Sequence, residues 1–129
     1  MARKRVLLAE DDADIRSLLA WALRDDGYDV VEAEDGAQLL ARLDEAGGVG
    51  SCDPLPDLIV SDIRMPRVSG LDVLERLQRD GVGVPVVLVT AHGDATTVRQ
   101  AERLGAAAVL HKPLDLDDFL TTVLHYAVH

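Results

Sequence analysis

The sequence predicts an α/β fold built on a parallel sheet, and two observations carry that prediction. Short β-branched apolar runs alternate with segments of helical period, five of each, which is the pattern of consecutive βαβ units. Four of those runs also end in polar residues: Val6 to Ala9 lead into Glu10 and Asp11, Leu58 to Ser61 into Asp62, Val86 to Val89 into Thr90, and Ala106 to Leu110 through His111 into Lys112. If the runs are parallel strands, these side chains meet at the carboxyl edge, where open α/β sheets bind their ligands.

The elements follow in order. A strand at 5–9 leads into Glu10-Asp11-Asp12, where Asp12 suits the N-cap of a helix at 13–25. That helix lines Ile15, Leu19, Ala22 and Leu23 on one face, with Trp21 on the flank as a partly exposed packing residue. Gly27 ends it in the left-handed conformation common after helices, a strand at 29–33 follows, and a helix at 36–46 ends at Gly47. Residues 47–56, Gly-Gly-Val-Gly-Ser-Cys-Asp-Pro-Leu-Pro, form the one clear loop. After a strand at 57–61, Ser69-Gly70-Leu71-Asp72 makes a capping box for a helix at 70–80. A strand at 85–89 precedes a helix at 95–104, capped by Asp94, in which only Val98 and Leu104 are sizeable apolar residues. So few apolar contacts predict a lightly held element, which suits a movable element and a plain surface helix without a switching role equally. Gly105, a strand at 107–111, and a helix at 116–127 capped by Asp115, with Leu116, Phe119, Leu120, Val123 and Leu124 on one face, complete the chain. The resulting expectation is a flavodoxin-like three-layer sandwich, a five-stranded parallel sheet in the order 2-1-3-4-5 flanked by five helices.

Composition narrows the function. The length, 129 residues, suits one domain, and 48% hydrophobic content supplies a core. A net charge of −10 repels phosphate backbones and anionic lipids, so no direct nucleic-acid or membrane partner is expected. No apolar stretch approaches the roughly 20 residues of a membrane span, and Met1 to Arg5 leads straight into a strand, so a cytoplasmic location is expected. Cys52 is the single cysteine, which leaves no internal disulfide or cysteine-based metal cluster. Flanking basic residues, which would lower its pKa, are missing, so a loop residue without redox role is expected.

The strand-end residues have a joint chemistry. Asp11 and Asp62 arrive at one edge from neighbouring strands, and like charges about 4 Å apart repel by roughly 4 kcal/mol at an effective dielectric of about 20. Such a cluster needs a cation, and oxygen ligands with several waters suit Mg2+. Lys112 supplies another positive charge, and a cis Lys112-Pro113 bond would aim it into the site, although sequence leaves the isomer open. Metal, ammonium and hydroxyl around one carboxylate are the parts for phosphoryl transfer onto an aspartate. Asp62, ending the third strand at the switch point, is the candidate nucleophile, and Thr90 the hydrogen-bond donor to a phosphoryl oxygen. His92 and His111 flank the site and are given a modulating role at most.

The strings Val6-Leu-Leu-Ala-Glu-Asp-Asp12, Asp62-Ile-Arg-Met-Pro66 with Ser69-Gly70, Val89-Thr-Ala-His-Gly93 and His111-Lys-Pro113 resemble the receiver domain of two-component response regulators across almost the whole chain, read as one domain, 1–129. The resemblance implies that Asp62 accepts a phosphoryl group from a phosphohistidine on a sensor histidine kinase or histidine phosphotransfer protein. It implies that Asp11 and Asp62 ligate Mg2+ with the backbone carbonyl of Arg64, that Glu10 acts through a water, and that Thr90 and Lys112 contact the phosphoryl group. Hydrolysis of the phosphoryl group would be tuned by Arg64 and His92, and the fourth helix, fifth strand and fifth helix would form the switching face that addresses a downstream effector domain or protein. A phosphorylation-dependent dimer is left open.

Three positions depart from the family pattern. Val109 stands where an aromatic residue is usual, which puts the coupling of Thr90 to a ring in doubt. Leu114 replaces a common Phe, and the loop at 47–56 is longer than usual. Two rival functions remain: an aspartyl-phosphate hydrolase, which would carry an acid where this chain has Arg64, and a degenerate receiver binding partners without phosphorylation. A separate substrate is not expected. A single-domain regulator and a receiver excised from a longer protein fit the sequence equally.

Overall fold

The computed structural model describes residues 3–46, 55–91 and 95–127. The chain runs β1 (Arg5–Ala9), α1 (Ala13–Asp25), β2 (Asp29–Ala33), α2 (Gly36–Glu45), β3 (Leu58–Asp62), α3 (Gly70–Arg79), β4 (Val86–Thr90), α4 (Ala95–Arg103), β5 (Ala108–His111) and α5 (Leu116–Ala127). All strand pairs are parallel, in the order β2-β1-β3-β4-β5. This is the predicted flavodoxin-like architecture. β3, β4 and β5 each begin one residue later than expected, so Asp62 and Thr90 are the last residues of their strands rather than the first beyond them.

Side chains alternate across a strand, so each strand feeds both layers of core. Val6, Leu8, Leu58, Val60, Val87 and Val89 meet Leu19 and Leu23 of α1 and Phe119 and Val123 of α5 on one face. Leu7, Ile59, Val86 and Leu88 meet Leu39 of α2, Val73, Leu74 and Leu77 of α3 and Ala101 of α4 on the other. Every residue of β3 and β4 is buried, because central strands are covered on both faces.

The helix starts follow the predicted caps. Asp12 accepts from the N–H groups of Asp14 and Ile15, Ser69 and Asp72 form the reciprocal capping box, and Asp115 accepts from Asp118. Asp35, which the sequence reading passed over, caps α2 by accepting from Gln38. Gly27 and Gly105 take the predicted left-handed conformation, with φ of 96° and 91°. Asp94, Gly47, Cys52 and His92 lie outside the described residues, as does the loop at 47–56 apart from Leu55 and Pro56.

Leu124 is a correction. It is 55% exposed, while Ala127 is buried with Phe119 and Val123. At about 100° per residue, Leu124 lies roughly 140° around the helix from Phe119, outside the stripe that docks on the sheet. Trp21, 61% exposed, sits further out than a flanking position suggests. α4 buries only Ala101 fully, with Val98 and, just past its end, Leu104 half-buried, in keeping with the expected light packing.

Candidate functional site

β1 delivers Glu10 and Asp11, β3 delivers Asp62, β4 delivers Thr90, and the turn after β5 delivers Lys112, so the carboxyl edge collects all five predicted side chains. Glu10, Asp62 and Thr90 are buried, with 2%, 6% and 2% exposure, whereas Asp11 is exposed. Carboxylate oxygens of Glu10, Asp11 and Asp62 lie within 4.8 Å of one another. Lys112 Nζ stands 2.7 Å from Glu10 Oε1 and 3.1 Å from Asp62 Oδ1. Its backbone N–H donates to the carbonyl of Thr90 at 2.9 Å, tying the Lys112 loop to the end of β4, and the Lys112-Pro113 bond is cis. Asp11, Asp62, Arg64, Thr90, Ala91 and Lys112 line one cavity of about 240 Å³.

Local packing holds Asp62 in place. The backbone N–H of Gly70 donates to the carbonyl of Ile63 at 2.7 Å, and a Cβ at Gly70 would collide with the backbone oxygen of Asp62. Only glycine allows α3 to start this close to the strand end. Ser61, buried beside the site, donates its hydroxyl to the carbonyl of Asp62 at 2.9 Å. It belonged to an apolar run in the sequence and carried no signal there.

The electrostatics reflect three carboxylates around one ammonium. Burial, reinforced by the neighbouring Glu10 carboxylate, pushes Asp62 up to about 8, against the pull of Lys112. Burial also raises Asp11, with Glu10 adding to it. Burial opposes ionisation of Glu10, yet hydrogen bonds with Asp62, Lys112 and Asp11 prevail and hold it below the ordinary value. Lys112 loses hydration too, but its hydrogen bonds to Glu10 and Asp62 keep its pKa above normal. The geometry therefore favours ionised Glu10 paired to Lys112, while burial and Glu10 oppose a second negative charge on Asp62. The donor set fits a hard cation: converging carboxylate oxygens, with negative charge beyond what Lys112 neutralises. In this arrangement Glu10 pairs directly with Lys112, a contact that spacing along the chain did not reveal.

The flanking residues divide. His111 is exposed at the end of β5. Val109 is half-buried and packs into the layer beneath α2, α3 and α4. Arg16 was not singled out in the sequence, yet its guanidinium donates to the carbonyl of Glu10 at 2.9 Å.

Together, fold and site define a small doubly wound α/β protein with a buried acidic pocket, capped by a lysine, at the switch point of its sheet. The chain belongs to the response regulator receiver domain family, whose model matches residues 6–124. It is similar to the transcriptional regulatory protein PdtaR of Mycobacterium tuberculosis, 37% identical over 123 residues, covering 93% of this chain and 55% of that protein. It is similar also to the C4-dicarboxylate transport transcriptional regulatory protein DctD of Pseudomonas aeruginosa, 36% identical over 122 residues, covering 95% of this chain and 25% of that protein. The chain thus spans about half or less of the length of these curated relatives. Among solved structures, a response regulator receiver protein from Pseudomonas putida superposes with a TM-score of 0.85 at 26% identity, covering 97% of this chain and 98% of that one. As a receiver domain, the chain is a component of two-component signalling. No helix among the described residues is long and apolar enough to cross a membrane.

Proposed function

We propose that this receiver domain takes a phosphoryl group onto Asp62 from a phosphohistidine of a sensor histidine kinase or histidine phosphotransfer protein, and passes the change to a downstream effector. One observation carries the proposal: a buried carboxylate at the end of β3, within 4.8 Å of two others and 3.1 Å from an ammonium, opens into a cavity that Thr90 also lines. In the transfer, the P–N bond to the histidine breaks, an Asp62 carboxylate oxygen forms the new P–O bond, and the imidazole leaves with the electron pair.

Asp11 and Asp62, with the backbone carbonyl of Arg64 and with Glu10 acting through a water, would hold Mg2+. When bound, the ion supplies charge that lowers the pKa of Asp62 and offsets the negative charge on the phosphoryl oxygens. The ammonium of Lys112, 3.1 Å from Asp62, would pair with a phosphoryl oxygen carried there. The hydroxyl of Thr90, which lines the same cavity, would donate to another. Thr90 shares the end of β4 with the backbone that anchors Lys112, and the lightly packed α4 follows in the chain, so movement there would alter the face of α4, β5 and α5. With Val109 in the apolar layer, that response would pass through aliphatic packing and not through a ring. No separate substrate is assigned, since Arg64 stands where a phosphate-ester hydrolase of this chemistry would carry a second acid.

Incubation with labelled acetyl phosphate tests the proposal. Label should enter the wild type only with Mg2+ present, and Asp62→Asn should abolish it. Labelling that survives the substitution would refute the assignment of Asp62.

A further inference from the structure

Asp11 is the exposed acidic residue of the site, and the peptide that carries it is held firmly. The carbonyl of Glu10 and the N–H of Asp11 belong to one planar unit, so fixing the first positions the Cα of the second. Arg16 Nη1 donates to that carbonyl at 2.9 Å, reaching back six residues from one turn inside α1. Its Nε lies 3.4 Å from Glu32 Oε1 on β2, and its side chain is only 15% exposed. The other oxygen of Glu32 meets Arg24 Nη2 at 3.2 Å, and Arg24 also donates to the carbonyl of Val30. The N–H of Glu10 donates to the carbonyl of Ala33, the residue after Glu32. Both polar groups of the Glu10 backbone are therefore referred to β2, the N–H directly and the carbonyl through Arg16 and Glu32.

We propose that Arg16 is a positioning residue for the cation site, locking the Glu10–Asp11 peptide through Glu32 so that both carboxylates converge with Asp62 before an ion arrives. The inference rests on the assignment of these carboxylates as metal ligands. A guanidinium suits the task because its fixed fork spans a carbonyl and a carboxylate at once, which a lysine ammonium on a flexible stem does not reproduce. Arg16 touches neither the ion nor the phosphoryl group in this role.

Calorimetric titration of the phosphate-free protein with Mg2+, paralleled by Mn2+ binding followed by electron paramagnetic resonance, reads the effect directly. Arg16→Ala should raise both dissociation constants by about tenfold, as loss of an outer-shell partner does in other metal sites. Arg16→Lys should recover only part of that loss. Glu32→Gln, which still offers an acceptor to Arg16, should stay within about twofold of the wild type. Unchanged constants in both Arg16 variants, even with a lowered urea midpoint in EDTA, would reduce Arg16 to a brace between α1 and β2 and overturn the inference. If Arg16→Ala does not fold, the comparison of Arg16→Lys with Glu32→Gln decides it by the same criterion. Failure of the wild type to bind either ion, or binding that Asp62→Asn leaves untouched, would instead overturn the site assignment on which the inference rests.

Discussion

Asp62→Asn should stabilise the metal-free protein, and the gain should grow with pH. The native pKa of Asp62 is raised from 3.8 to about 8. A raised acid pKa makes the folded state the tighter proton binder, so its contribution to stability is whole below about pH 4 and is lost as pH climbs towards 8. At about 1.36 kcal/mol per pH unit, a group shifted this far forfeits roughly 4 kcal/mol by pH 7 and about 1 kcal/mol by pH 4.5. Burial is the larger cause of the shift and the Glu10 carboxylate adds to it, while Lys112 offsets part of it. Asparagine keeps the shape without the charge. Urea denaturation in EDTA should therefore show the variant more stable than the wild type by about 2–4 kcal/mol at pH 7, with the gap shrinking to about 1 kcal/mol near pH 4.5. Mg2+ should reverse the order of benefit: at a hundredfold excess over its dissociation constant it should stabilise the wild type by about 2.7 kcal/mol and the variant by less. Equal stability of the two proteins in EDTA from pH 5 to 9 would refute the electrostatic account of the pocket.

Three further outcomes are expected. Lys112→Ala leaves the buried Glu10 and Asp62 without their cation, and should lower stability in EDTA by about 3–5 kcal/mol in urea unfolding, with partial recovery on adding Mg2+. Arg67 is the one described residue other than glycine with a left-handed backbone, φ 68°, so Arg67→Gly should raise the urea midpoint by the equivalent of about 1 kcal/mol, and an unchanged midpoint would mean that conformation carries no strain. On α5, Phe119→Ala should cost about 3–5 kcal/mol because the ring is fully buried, while Leu124→Ala should stay within about 0.5 kcal/mol because that side chain is 55% exposed.

The order of elements, the strands to within about a residue and most helix caps were determined by local sequence, because apolar period, turn residues and capping side chains act within a few positions of one another. So were the identities of Glu10, Asp11, Asp62, Thr90 and Lys112 as candidates: each follows its own apolar run, and the parallel sheet brings those run ends together. Leu124 was misplaced because a helical stripe drifts, and only the docked helix shows where the sheet stops covering it. The pairing of Lys112 with Glu10, 102 residues away, the buried hydroxyl of Ser61 and the strut from Arg16 through Glu32 had no signature along the chain. Their partners are set by strand register and by the angle at which α1 crosses β1 and β2. The tertiary structure alone decided the electrostatics of the pocket, since the upward shift of Asp62 arises from burial and from neighbours that share no sequence proximity with it.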